Sequence, residues 1–454
     1  MTSVSDNNDD TDIPEGITMG ETTMGKLTMD EAETETAATP PAPNSTAPNS
    51  TDPGATSSRL PIGVYVLGAS VFALGTSEFV IAGLVNQMSA SLGVSVPQVS
   101  QLITVFAIGM LIGAPLMAVL TLSLDRKRTL VASAAVFALA HLATAFFTNF
   151  EVIMVLRIIS AFACATELTV AAVMAVGIAG GERTARAIAI IIGGMTLANV
   201  IGVPIGSFIG EQLNWQAAFV FIGVVSAVSA VLVAFVVPRL PKTHAEGTSL
   251  KSLAMAELRS LNQTRVYVAL CTTVLFEAAL FSVYSFVQPI LTDVSGMSAA
   301  TVPAVLLAFG VGTFVGITIG GRLAERFPLP NVIGSLVVLV LVMLAFRAVV
   351  HNPIASAVAV TLLGVAGFSM TAALNARVIG FAVGAPTLAV AISLSAFNVG
   401  NAIGPAVGGA VYSSTSQPQM VIWAGVALAL AALVSALVSA VIERDPEPVT
   451  EGAV

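Results

Sequence analysis

A chain of 454 residues that is 56% hydrophobic and only 10% charged is not a soluble globular protein, because soluble domains carry about 25% charged residues. Its mean hydropathy of +0.92 points to a polytopic membrane protein. The formal net charge of −8 does not describe that membrane body, because eleven of the 26 acids fall in residues 1–59 (Asp6, Asp9, Asp10, Asp12, Glu15, Glu21, Asp30, Glu31, Glu33, Glu35, Asp52) beside only Lys26 and Arg59.

Residues 1–59 are rich in Thr, Asp, Glu, Pro, Asn and Ala and repeat Ala-Pro-Asn-Ser-Thr at Ala42 and Ala47. Such a segment buries too little apolar surface to order itself, and a disordered acidic cytoplasmic tail is expected. It has no basic start followed by an apolar stretch and a cleavage site, so it does not read as a signal peptide. Twelve apolar runs follow, at about 62–84, 98–121, 129–147, 151–175, 187–210, 216–237, 266–289, 301–321, 331–350, 353–374, 387–411 and 419–442. Each is near the roughly 20 residues that cross a bilayer. Backbone amides in lipid must pair internally, and runs of this length read as helices, since barrel strands are about 10 residues long. The expected fold is all-α and integral to the membrane: twelve helices in two pseudo-symmetric bundles of six, at 60–237 and 266–442. Residues 238–265 read as a cytoplasmic linker with a helical pattern (Leu250, Leu253, Leu258, Leu261), and 443–454 as a short cytoplasmic tail.

Basic residues set the orientation. With a cytoplasmic N-terminus, the inner loops hold Arg126, Lys127, Arg128, Arg183, Arg186, Arg239 to Arg265, Arg322, Arg326 and Arg377. With the two tails added, sixteen of the 18 bases are placed inside, and only Arg157 and Arg347 belong to helices. Both termini are expected in the cytoplasm of a cell with this protein in its plasma membrane. Cys164 and Cys271 lie in apolar runs and read as small core residues.

The second half repeats landmarks of the first. Leu124-Asp-Arg-Lys-Arg128 after the second run is matched by Gly320-Gly-Arg-Leu-Ala-Glu-Arg326 after the eighth. Ala198-Asn-Val-Ile-Gly-Val-Pro-Ile-Gly206 is matched by Asn401-Ala-Ile-Gly-Pro-Ala-Val-Gly-Gly409. Glu78 in the first run has a rough counterpart in Glu277 of the seventh. Transporters are commonly built from such repeats, with the substrate site between the halves. A charged carboxylate inside a span costs roughly 2.5–3.5 kcal/mol on insertion scales, so such residues mark ion or substrate paths.

Phe72-Ala-Leu-Gly-Thr-Ser-Glu-Phe-Val-Ile-Ala-Gly83, Val203-Pro-Ile-Gly206 and Asn214-Trp-Gln-Ala-Ala-Phe219 resemble the major facilitator superfamily. Within it they resemble the twelve-helix drug:proton antiporter branch with its chloramphenicol exporters, arabinose or sugar efflux permeases and purine efflux permeases. The resemblance covers about residues 60–442. It implies that Asp125, Arg126 and Arg128 form a loop latch that breaks as the halves rock, with Arg322 and Glu325 in a degraded second copy beside Gly321 and Arg326. The loop departs from the family form, since no glycine precedes Asp125 in it and Lys127 replaces the usual residue. A positive-inside signal alone explains the same bases. Gly202, Pro204 and Gly206, with Val203 and Ser207 intruding, resemble the antiporter signature. Gly404, Pro405, Gly408 and Gly409 give its standard form. Packing alone accounts for these too, because proline kinks a helix and small residues bring helices close. Arg157 resembles the family's buried arginine, with Ala161 at its glycine position, and is otherwise a structural or snorkelling cation.

Four residues stand as proton-coupling candidates: Glu78, Arg157, Glu167 and Glu277. Glu78 leads, because low dielectric favours the neutral carboxylic acid and lets it load and release a proton; a hydrogen-bonded structural acid is the alternative. Phe72, Phe106, Asn199, Phe276, Tyr284 and Asn398 are candidates for a substrate cavity, although aromatic residues in membrane helices more often simply pack. The chain has no ATP-binding loop and no clustered metal ligands, and His141, His244 and His351 are scattered. No enzyme activity, cofactor, metal or nucleic-acid partner is expected. The reading is a monomeric, proton-driven exporter of small amphiphilic molecules of the phenicol kind, working by alternating access. Sugar, nucleoside or other metabolite efflux is the near alternative, and a membrane sensor on a transporter scaffold is one of a different class.

Overall fold

Long apolar runs without alternation leave the backbone one economical way to satisfy itself in lipid, the i to i−4 ladder of the helix. In the computed structural model, which describes residues 60–121, 124–240, 263–382 and 386–444, the described residues form twelve helices long and apolar enough to span a membrane. They are α1 Ile62–Gly83, α2 Val96–Met117, α3 Arg126–Phe146, α4 Phe150–Ala179, α5 Thr184–Gln212, α6 Trp215–Val236, α7 Thr264–Tyr284, α8 Ala299–Arg326, α9 Pro328–Val349, α10 Pro353–Phe381, α11 Ala389–Thr415 and α12 Pro418–Glu443. The expected acidic tail, residues 241–262 of the expected linker, and residues 445–454 lie outside the described residues.

Packing repeats between the halves. α1 packs on α5 and α6, α2 on α4, and α3 on α4 and α6. The same five pairings recur as α7 on α11 and α12, α8 on α10, and α9 on α10 and α12. Each half has its own buried apolar cluster, one drawn from Leu60 to Val237 and the other mostly from Phe276 to Ala436. Phe79, Ala82 and Val203 cross over and join the second cluster. The main crossings between halves are α2 with α11 and α5 with α8.

Helix ends and breaks have local causes. Asn149, Asn214 and Asn352 cap α4, α6 and α10 by accepting bonds from backbone N–H groups, which fills donors that a helix start leaves empty. In α5 a π turn over Ala198–Gly202 precedes Pro204, so the missing proline N–H falls where the ladder is already interrupted. α10 breaks at Ser369 and Met370. There the Ser369 carbonyl accepts from Asn331 Nδ2 at 3.1 Å, and the same amide reaches Gly320 O at 3.2 Å. Irregular backbone at this depth survives because protein groups satisfy it.

Two expectations are corrected here. Cys271 is exposed while Cys164 is buried; a helix face that meets lipid needs no protein cover, so apolar surroundings in sequence do not imply core. Arg377, expected in a loop, belongs to α10, is 6% exposed, and forms an ion pair with Glu443 of α12 at 2.6 Å.

Candidate functional site

The first-half residues of the candidate site meet where α1, α3 and α4 converge. Arg157 of α4 is 2% exposed. Its Nη1 donates to Ser77 Oγ at 2.7 Å and its Nη2 to the Ser77 carbonyl at 2.9 Å. The guanidinium lies over the Phe106 ring, 4.1 Å from its centroid. A cation in a span thus receives two oxygen acceptors and an aromatic face, which offset the loss of water. Snorkelling is not how it is accommodated, since the head group points inward to α1.

Glu78 follows Ser77 and is only partly buried. It stands within electrostatic reach of Arg157 on α4 and Glu277 on α7. Across the gap between the halves, Asn401 Nδ2 of α11 donates to Glu78 Oε1 at 3.4 Å. A carboxylate that is partly exposed, yet ringed by α4, α7 and α11, faces the space between the halves. Glu167 is buried deeper, two to three turns away along α4, and accepts a bond from Ser70 of α1. Its contact is therefore within the first half.

Glu277 does not mirror Glu78. A methyl built at Gly202 would meet Thr76 of α1, and one at Gly404 would meet Ala278 of α7, which sets the register of the two repeats. Gly75 then corresponds to Glu277, packed on Ala198 and Gly400 respectively, and the position mirroring Glu78 is Leu280. The two acids are one helical turn out of register, and Glu277 is 6% exposed against Gly400.

The signature glycines Gly202, Gly206, Gly404 and Gly408 lie at close helix crossings. Gly202 and Gly206 abut Thr76 and Val80 of α1, and Gly404 and Gly408 abut the backbone of α7 from Ala278 to Ser282. Pro405 lies inside α11. At the loop after α2, Asp125 Oδ1 accepts from Arg128 N at 2.9 Å and so caps α3. Arg126 is partly buried, and Arg128, Arg322 and Glu325 are exposed.

The six cavity candidates do not gather into one pocket. Phe72 lines a groove of about 650 Å³ formed with α5 and α6. Phe106 is enclosed beneath Arg157 and Phe276 in the second-half core, each 1% exposed. Tyr284 stacks on Phe309, ring centroids 4.6 Å apart, and meets Phe79 edge-on at 6.4 Å; it packs at the junction of the halves. Asn199 contributes backbone to the α5–α8 crossing. Asn398 turns its amide to Leu394 O of its own helix at 3.0 Å. Apolar bulk buries itself on whichever neighbour is nearest, and sequence does not name that neighbour.

Two contributors escaped the sequence reading. His141 is 2% exposed on α3 and places Nε2 2.6 Å from Ser77 Oγ. Asn86, just past α1, donates from Nδ2 to Thr292 Oγ1 at 3.0 Å and to Asp293 Oδ1 at 3.3 Å. Its backbone N–H donates to Gln288 Oε1 at 3.0 Å. These bonds tie the halves together at one end. Farther along, Thr104 Oγ1 of α2 donates to Ala402 O of α11 at 3.1 Å.

Residues 67–387 match the family model described as Major Facilitator Superfamily. The chain belongs to the Major Facilitator Superfamily. Among curated facilitator relatives is the "Chloramphenicol resistance protein" of Streptomyces lividans, 34% identical over 83% of this chain and 96% of the relative. Another is the "Probable sugar efflux transporter" of Mannheimia succiniciproducens, 30% identical over 77% of this chain and 86% of the relative. The crystal structure of the nucleoside transporter NupG superposes with a TM-score of 0.70 at 16% identity, covering 83% of this chain and 99% of that one. As a facilitator, the protein is a multi-pass membrane transporter of small molecules.

Proposed function

We propose that the protein is a proton-driven exporter of small amphiphilic molecules, of which chloramphenicol is the first to test, acting by alternating access in the plasma membrane with both termini in the cytoplasm. The single observation that carries the reading is Glu78: a carboxylate between the halves, with Arg157 on one side and Asn401 of the opposite half on the other. A group so placed binds a proton from whichever side is open and loses its cross-half partner when the halves rock. The similarity to the Streptomyces lividans protein supports a phenicol substrate. The similarity to the Mannheimia succiniciproducens protein supports a second reading, sugar efflux, with the same coupling.

The test is growth of an efflux-deficient bacterial host carrying wild type or Glu78→Gln at equal expression. The panel contains chloramphenicol, puromycin, purine analogues and toxic sugar analogues. Protection by the wild type alone supports proton-linked export and names the substrate class. Equal protection by both removes Glu78 from the coupling.

A further inference from the structure

Ser77 is fully buried and its hydroxyl oxygen is shared by two helices, with Arg157 of α4 on one side and His141 of α3 on the other. The direction of each bond follows from the groups. A guanidinium only donates, so Arg157 takes a lone pair of Ser77. A backbone carbonyl only accepts, so His141 Nδ1, 2.8 Å from Phe137 O, carries the hydrogen. In a neutral imidazole the other nitrogen is then an acceptor, and Nε2 receives the Ser77 hydroxyl proton. An imidazolium would aim a second donor at Ser77 and set a second cation beside Arg157. One arrangement therefore accounts for all three contacts: Arg157 donates to Ser77, Ser77 to His141, and His141 to Phe137.

The imidazole is fixed in place. It lies 4.2 Å from the Phe137 ring and stacks at 5.8 Å on Phe219, which Trp215 meets edge-on; α6 thus presents no charge to it. The titratable and charged groups around the site are Glu78 on α1, Arg157, Cys164 and Glu167 on α4, and Glu277 on α7, with the polar Asn401 on α11. From α5, Met195 and Ala198 face α1 at Gly75. Arg157 therefore bonds to Ser77 while interacting electrostatically with the Glu78 carboxylate next to it in α1.

We propose that His141 is a positioning residue for the coupling site: by accepting the Ser77 hydroxyl proton it keeps the Ser77 lone pair on Arg157, and so holds the guanidinium away from the Glu78 carboxylate. The inference rests on the reading of Glu78 as the proton site. Without His141, Arg157 turns towards Glu78 and favours its ionised form.

The test is an infrared pH titration of the full-length protein in lipid vesicles. It follows the carboxylic-acid C=O band that Glu78→Gln removes. In His141→Leu the midpoint moves to lower pH by about one unit, about tenfold in proton affinity. His141→Gln, whose amide oxygen accepts from Ser77, restores the wild-type midpoint. Ser77→Ala reproduces the shift, and adding His141→Leu to it moves the midpoint no further. A band with the same midpoint in wild type and His141→Leu overturns the proposal, as does a shift that His141→Gln leaves uncorrected. Should His141→Leu not fold, Ser77→Ala carries the comparison, and an unmoved midpoint there overturns the proposal equally. Wild-type efflux that ignores the pH gradient would defeat the coupling reading instead, while the infrared midpoints still decide the role of His141.

Discussion

Gly310 lies on α8 where it crosses α5 of the opposite half. A methyl carbon built there would stand 2.5 Å from Asn199 O, 2.5 Å from Val200 Cα and 3.0 Å from Asn199 C. All three are backbone atoms, so no side chain can rotate away, and Gly310→Ala must separate the helices or strain them. Overpacking of this kind costs about 1–3 kcal/mol. The contact joins the two halves, so the cost is charged to this conformation and not to one in which the halves have rocked apart. The equilibrium should then shift by about 5- to 150-fold. Gly316→Ala is the control. A methyl there would press on Val365 of α10, inside the same half, so it lowers stability without preferring either conformation. The reporter is Ser100→Cys in a Cys271→Ala background, since Ser100 is 1% exposed near Gly409 of α11 and Cys164 is buried. Gly310→Ala should speed modification of that thiol by a maleimide at least fivefold, and Gly316→Ala should lower the unfolding temperature at an unchanged rate. Equal labelling rates in the two variants would refute the reasoning.

Asn86→Ala removes the Nδ2 bonds to Thr292 and Asp293 at about 1 kcal/mol each, and the same thiol should label faster, by roughly thirtyfold; an unchanged rate means that these bonds hold nothing shut. Arg377→Met removes donors to Glu443 at 2.6 Å and Ser439 at 2.7 Å. Because the Glu443 side chain is 26% exposed and rehydrates, the loss should be about 1–2 kcal/mol of stability, seen as a lower unfolding temperature while the Ser100→Cys reporter thiol labels at its unperturbed rate. Accelerated labelling would instead make this pair part of the conformational change.

The twelve spans were legible because lipid forces long apolar runs, and the first, read at 62–84, is Ile62–Gly83 in the structure. The seventh was read too long. Its apolar run passes through Ser285 and Phe286, where the helix breaks before Val287, and hydropathy does not register a break whose residues stay buried. Glu78 and Arg157 were legible as charges in spans, each demanding a partner. Their partners were not legible, because Ser77, His141 and Asn401 come from helices whose facing sides only packing decides. A histidine within the apolar run 129–147 makes the same demand for a partner as an arginine does, and that signal was available for His141. The register of Glu277 failed for a different reason. Two acids in corresponding helices look alike in sequence, but a three-residue offset moves a side chain by a full turn, and only the contacts of Gly202 and Gly404 fix it.

α8 has two glycine-bearing sides. Gly312, Gly316 and Gly320 press on the backbone of α10 within one half, and Gly310 on α5 of the other. Changes on the first side alter whether the protein survives assembly, and a change on the second alters how long it dwells in each conformation. Variants selected for faster or slower turnover are therefore expected on the α5-facing side, where Gly310 lies.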